Sequence, residues 1–113
     1  MTSPSSDSMV AEYRDAAVRH GSAKTARAAN AAAEKIAVLY REFRQKGEQA
    51  ALLPLLKDPN SSVRSWAAAH ALEFAPEQAV PVLEALASGP PGAQRANASM
   101  TLREWRAGRL KFP

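Results

Sequence analysis

Leu52-Leu53-Pro54-Leu55-Leu56-Lys57-Asp58-Pro59-Asn60-Ser61-Ser62-Val63-Arg64-Ser65-Trp66-Ala67-Ala68-Ala69-His70-Ala71-Leu72 is the stretch that decides the fold. It begins with a short leucine-rich run that predicts a helix of about two and a half turns, starting late or kinked because Pro54 lies inside it. Asp58-Pro59 ends that run, since proline steers the preceding residue away from the α region. Asn60 or Ser61 is placed to cap the next helix. There Val63, Trp66, Ala67, His70, Ala71 and Phe74 recur at helical spacing, a full apolar stripe interrupted only by His70. A short helix, a polar turn and an alanine-rich helix make one unit of the kind that stacks on copies of itself.

Downstream, Glu77-Gln78-Ala79-Val80-Pro81-Val82-Leu83-Glu84-Ala85-Leu86-Ala87 repeats the leucine-rich helix. Pro54 and Pro81 lie 27 positions apart, each a few residues after Glu-Gln-Ala. Gly89-Pro90-Pro91-Gly92 is a loop. A last helix runs from about Ala93 to Ala107, with Ala98, Leu102 and Trp105 on one face and Gly108 as its stop.

Upstream, residues 1–6 are rich in Ser, Thr and Pro and read as a disordered tail. Asp7 or Ser8 caps a first helix carrying Val10, Tyr13 and Ala17 on one face, and Gly21 is expected to end it in the left-handed conformation. Ser22 is expected to cap a long second helix over 23–46. Its stripe of Ala29, Ala32, Ala33, Ile36, Tyr40 and Phe43 is built for close packing. Gly47 stops it.

The 113 residues sit at the size of one domain, and the 46% apolar content fits a folded chain. Absence of cysteine excludes disulfides, thiolate nucleophiles and cysteine-ligated zinc. There is neither a membrane-length apolar run nor a signal-peptide pattern, so a cytoplasmic protein is expected. The net charge is +4, unevenly spread. Residues 1–47 hold eight basic and five acidic side chains, 48–88 hold two and five, and 89–113 hold five and one. Such polarity suits oriented electrostatic contacts better than one continuous basic field.

The run Leu53 to Pro59, with Val63-Arg64, Ala67-Ala68 and Ala71-Leu72, resembles a HEAT repeat. Ala79 to Leu86 resembles the first helix of the next repeat. Over the whole chain, the order of a Tyr-containing helix, an alanine-rich helix with Ala29-Asn30, the Asp-Pro unit and a closing Thr101-Leu102-Arg103-Glu104-Trp105-Arg106 is similar to a small bacterial HEAT-like family. That family is filed as domain of unknown function two-thousand-nineteen. The resemblance implies an all-α, right-handed α-α superhelix of about six helices. An N-terminal helical pair (7–47) would be followed by HEAT-like units (48–107) in a single domain over 7–113. It also implies that Asp58 and Arg64 link the turn of one unit to the neighbouring helix. Asn30 is expected in an inter-helix structural role.

Nothing in the chain matches a catalytic, phosphate-binding or metal motif, so no catalytic residue, metal or cofactor is expected. His20, near a helix end, reads as structural. His70 and Trp66 are expected to border a groove formed by the second helices. Arg95, Ser99, Arg103 and Arg106 recur on one face, with Arg109 and Lys111 beyond, an array suited to an acidic protein surface or to phosphates. The function expected is therefore non-catalytic protein binding through Arg95, Arg103, Arg106, Arg109, His70 and Trp66. Its concrete form, taken from the resemblance, is an immunity or antitoxin protein that neutralises a toxin. Nucleic-acid binding through the arginine stripe is the alternative.

Overall fold

The structure, a computed structural model, describes residues 6–113. The expected tail over 1–6 lies outside the described residues except for Ser6, which already belongs to the first helix. The fold is all-α. Among the described residues there are six helices and no strand: α1 (Ser6–Ser22), α2 (Ala26–Gln45), a 3₁₀ helix (Gln49–Lys57), α3 (Ser61–Ala71), α4 (Pro76–Ala87) and α5 (Ala93–Arg106).

The ends of these helices follow from local chemistry. Asn60 caps α3, its Oδ1 accepting from the amides of Ser62 (2.9 Å) and Val63 (3.1 Å). Pro76 opens α4 at a position where its missing N–H costs nothing. After α2, Gly47 takes φ +66°, its amide bonds Arg44 O and the Glu48 amide bonds Phe43 O. Gly108 (φ +73°) closes α5 in the same way, with amide bonds from Gly108 to Trp105 O and from Arg109 to Glu104 O. Both are Schellman caps.

Two local expectations are corrected and a third is sharpened. The leucine-rich run is a helix, and its winding is 3₁₀ from Gln49 through Lys57. Its tighter winding keeps Leu52, Leu55 and Leu56 inward around Pro54, which has no amide to give. Ser22 does not cap α2; Thr25 does, accepting from the Ala28 amide at 3.1 Å, while Ser22 Oγ donates back to Val18 O and Arg19 O in α1. Gly21 lies inside α1 with an ordinary φ, so it is not a left-handed stop. A Cβ placed there would sit 2.6 Å from Ser62 Cβ. Gly21 is therefore required by the close approach of α1 to α3, and Ser62 Oγ bonds Ala17 O at 2.8 Å across that crossing.

α3 is the hub, packed against α1, the 3₁₀ helix, α4 and α5. Its inward residues Val63, Ala67, Ala68 and Ala71 are buried and mostly small, which lets the neighbours come close. Tyr13, Ile36, Tyr40, Phe43, Leu83 and Leu102 supply the bulk around it. At one pole of the molecule α1 and α4 end while α3 and α5 begin, and residues of all four meet there around a groove. At the other pole Tyr40 and Arg44 of α2 meet Glu73 after α3, and Arg44 also bonds the carbonyl of Pro113. Leu110 and Phe112 of the final segment pack against the core.

Candidate functional site

His70 lies at the centre of an aromatic cluster rather than at a surface. Its ring stacks on Tyr40 at 3.9 Å and 4°, and Tyr13 Oη lies 2.6 Å from Nδ1. Only 4% of it is exposed. The expectation that His70 borders a partner-binding groove is corrected. At i+7 from Val63 it falls on the stripe facing α1 and α2, where two tyrosines enclose it. Burial, with a smaller contribution from the Arg44 cation, pushes the imidazole down to about 3. It is therefore neutral at neutral pH. Burial likewise pushes the Tyr13 phenol well above its ordinary value, so it stays protonated. With the imidazole proton on Nε2, that phenol donates to Nδ1.

The network continues outward. Tyr40 Oη donates to Glu73 Oε1 at 2.5 Å and accepts from Gln49 Nε2 at 2.9 Å. Burial, then the Glu73 carboxylate, raise the Tyr40 phenol to about 12. Arg44 grips both Glu73 oxygens (2.9 and 3.0 Å from Nη2) and lies over the Tyr40 ring. Each of these groups has a partner inside the fold, the arrangement of a cross-brace between α1, α2 and α3. In such a network the groups hold one another, and none is aimed at a cavity.

The structure places Asp58 in the turn before α3 and Arg64 in the first turn of that helix. Asp58 accepts from Arg14 of α1 through Nε (2.6 Å) and Nη2 (3.2 Å), and from the Asn60 amide at 2.9 Å. That pairing holds the Asp58 carboxyl below the usual carboxylate range. Arg64 Nη1 donates to the carbonyls of Asp58 (2.8 Å) and Pro59 (3.0 Å), clasping its own turn. Arg14 was not anticipated; its spacing on α1 marks it only as a solvent-facing cation. Asn30 is exposed on α2 and has no side-chain hydrogen bond among the described residues, so its inter-helix role is corrected.

Two adjoining concavities lie beside α3 and α5. The larger, about 950 Å³, is the polar-end groove, with Val18, Leu56, Val82 and Leu86 on its walls, prolines 81, 90 and 91 at its rim and Arg64 and Arg95 as its charged groups. The smaller, about 270 Å³, lies between α3 and α5 beside His20, Trp66, Asn97 and Met100. Gln94 lines both, so the two adjoin. Trp66 is half-buried with His20 edge-on to it at 5.0 Å, and Met100 is 54% exposed. The arginines of α5 are not one equivalent set. Arg106 is paired with Glu84 (3.2 Å) and Arg109 with Glu104 (2.8 Å), whereas Arg95 and Arg103 are exposed and in no ion pair among the described residues. Arg103 and Arg106 border a separate recess around Leu102. No helix among the described residues is long and apolar enough to cross a membrane, and no group of three His, Cys, Asp or Glu there is arranged to hold a metal ion.

A family model described as Domain of unknown function (DUF2019) matches residues 7–105. The chain belongs to that family. The DUF2019 match starts within α1 and ends one residue short of the end of α5, so it takes in the hub, the cross-brace and both concavities. A solved structure, the protein RPA1889 from Rhodopseudomonas palustris CGA009, is similar to this DUF2019 chain with a TM-score of 0.88 at 27% identity, covering 96% of this chain and 94% of that one. No curated protein matches.

Proposed function

We propose that the protein is a non-catalytic, cytoplasmic protein-binding module whose helices stack in a HEAT-like, right-handed superhelix. The observation that carries the reading is the pair of adjoining concavities sharing Gln94. They expose aliphatic walls, a half-buried tryptophan, a methionine and an arginine, the residue types that dominate protein interfaces. The titratable groups at the centre of the fold, by contrast, are used up in the cross-brace. Trp66 lines the smaller concavity and Arg95 the larger, and His70 acts behind them by fixing α3. An immunity or antitoxin role is the concrete form of the reading, in which a rigid small stack blocks one toxin.

The test is co-purification of the full chain from its own cells, with wild-type protein and a Trp66→Ala, Met100→Asp double variant in parallel. A stoichiometric protein partner retained by wild-type and lost by the variant supports the reading. Growth rescue by the chain when that partner is expressed alone supports the antitoxin form. Absence of any stoichiometric partner counts against both.

The nucleic-acid alternative is favoured by Arg95 and Arg103, which are in no ion pair among the described residues, and weakened by the pairing of Arg106 and Arg109 with carboxylates. It expects binding to a short DNA duplex that falls steeply as salt rises.

A further inference from the structure

The charged groups of the polar-end groove are all of one sign. Among the residues lining it, Arg64 and Arg95 are the only charged ones, and neither is in an ion pair among the described residues. The nearest carboxylate in the turn, Asp58, has both oxygens taken by Arg14. Two helices begin at this pole and two end there, so their dipoles oppose one another and the arginines set the local charge. Arg64 is already held by the carbonyls of Asp58 and Pro59, which lowers the ordering cost of meeting an anion. The walls between the two cations are apolar, and the proline rim at Pro81, Pro90 and Pro91 is stiff.

We infer that this groove docks an extended acidic segment of a partner protein. Its carboxylates pair with Arg64 and Arg95, and its apolar side chains rest on Val18, Val82 and Leu86. The inference rests on the protein-binding reading above and names the surface and the chemistry of the partner. Cations from two different elements, α3 and α5, suit carboxylates spaced along a chain better than a single anion. At about 950 Å³ the space is at the upper end of the roughly 300–1,000 Å³ of ligand pockets, large for one ion.

The probe is a phage-displayed library of random dodecapeptides selected on the full chain, with the winning peptide then labelled and titrated by fluorescence anisotropy. Enrichment of Asp or Glu together with Leu, Val or Pro is expected. Arg95→Glu replaces an exposed side chain that makes no hydrogen bond or ion pair among the described residues, and should weaken the winning peptide by at least about tenfold. A peptide with its glutamates changed to lysine should regain binding to that variant. Arg41→Glu, an equal charge change on exposed α2, should have no effect. Selected peptides without acidic enrichment, or indifferent to Arg95→Glu, overturn the groove assignment. If such peptides are instead lost in the Trp66→Ala, Met100→Asp variant, the groove fails while the protein-binding reading stands. Tighter binding of a short DNA duplex than of any peptide, with the same sensitivity to Arg95→Glu, overturns both.

Discussion

Acid should destabilise this protein in large part through His70, and the size of the effect follows from the burial of that residue. In the unfolded chain a histidine titrates near 6.5. In the fold His70 is held neutral down to about 3, because burial between Tyr13 and Tyr40 disfavours the imidazolium. Between those two values the unfolded chain binds a proton that the native protein does not, so stability is lost as pH falls. The contribution is fully present above the unfolded value. From pH 7 to pH 4 the loss is about 3 kcal/mol, at 1.36 kcal/mol per unit over the span in which only the unfolded state is protonated. Against the 5–15 kcal/mol typical of a domain that is a large share, and in urea it moves the midpoint by about 1–3 M. The assay is urea unfolding followed by circular dichroism across that pH range, on wild-type and His70→Gln proteins. Glutamine keeps an acceptor for the Tyr13 hydroxyl but does not titrate, so the variant starts weaker and loses about 3 kcal/mol less on acidification. Asp58 and Glu104, whose carboxyls are held low by Arg14 and Arg109, are common to both proteins and cancel in the comparison. Equal losses in wild-type and variant would refute the argument, and so would a loss that sets in only below pH 3.

Other perturbations test other joints. Gly21→Ala puts a methyl 2.6 Å from Ser62 Cβ and should cost about 1–3 kcal/mol, with Ser62→Gly in the same chain recovering part of it in thermal melts. Asn60→Ala removes the cap of α3 and should cost about 0.5–2 kcal/mol by chemical denaturation, whereas Asn30→Ala on exposed α2 should leave stability unchanged within error. Tyr13→Phe strips the buried Nδ1 of His70 of its partner and should cost about 1–3 kcal/mol, with the His70 imidazole resonances shifting in NMR spectra.

The order of the helices was legible where local chemistry leaves little choice. Asn60 after Asp58-Pro59, Gly47 after a long alanine-rich run, and Gly89-Pro90-Pro91-Gly92 each specify a boundary through backbone constraints that do not depend on the rest of the fold. What stayed hidden depends on contacts distant in sequence. Gly21 next to Ser22 reads as a helix stop, but the glycine is there for Ser62, some forty residues on. Whether the leucine-rich run winds as α or 3₁₀ is decided by how Leu52, Leu55 and Leu56 meet the hub, and periodicity over nine residues with an internal proline cannot separate the two. His70 sits on an apolar stripe whose spacing is the same for a groove wall and a core, and the groove expected there gives way to a core because Tyr13 and Tyr40 close over it. The arginines of α5 share a face by spacing, but the pairing of Arg106 with Glu84 is set by how α4 packs on α5. The family itself was readable from the order of motifs, since that order spans nearly the whole chain.

The brace at Arg44 has a consequence for how the domain can be joined to others. Ser6, the first described residue, bonds Glu48, and Pro113 bonds Arg44, so both ends of the described chain return to the same short stretch around the end of α2. α1 alone, at 17 residues, puts roughly 25 Å between that stretch and the groove. A domain whose ends leave side by side can be set into a loop of a larger protein, or re-cut with its ends exchanged, without stretching the host. Carried on such a pair of stalks, this one would point its groove outward.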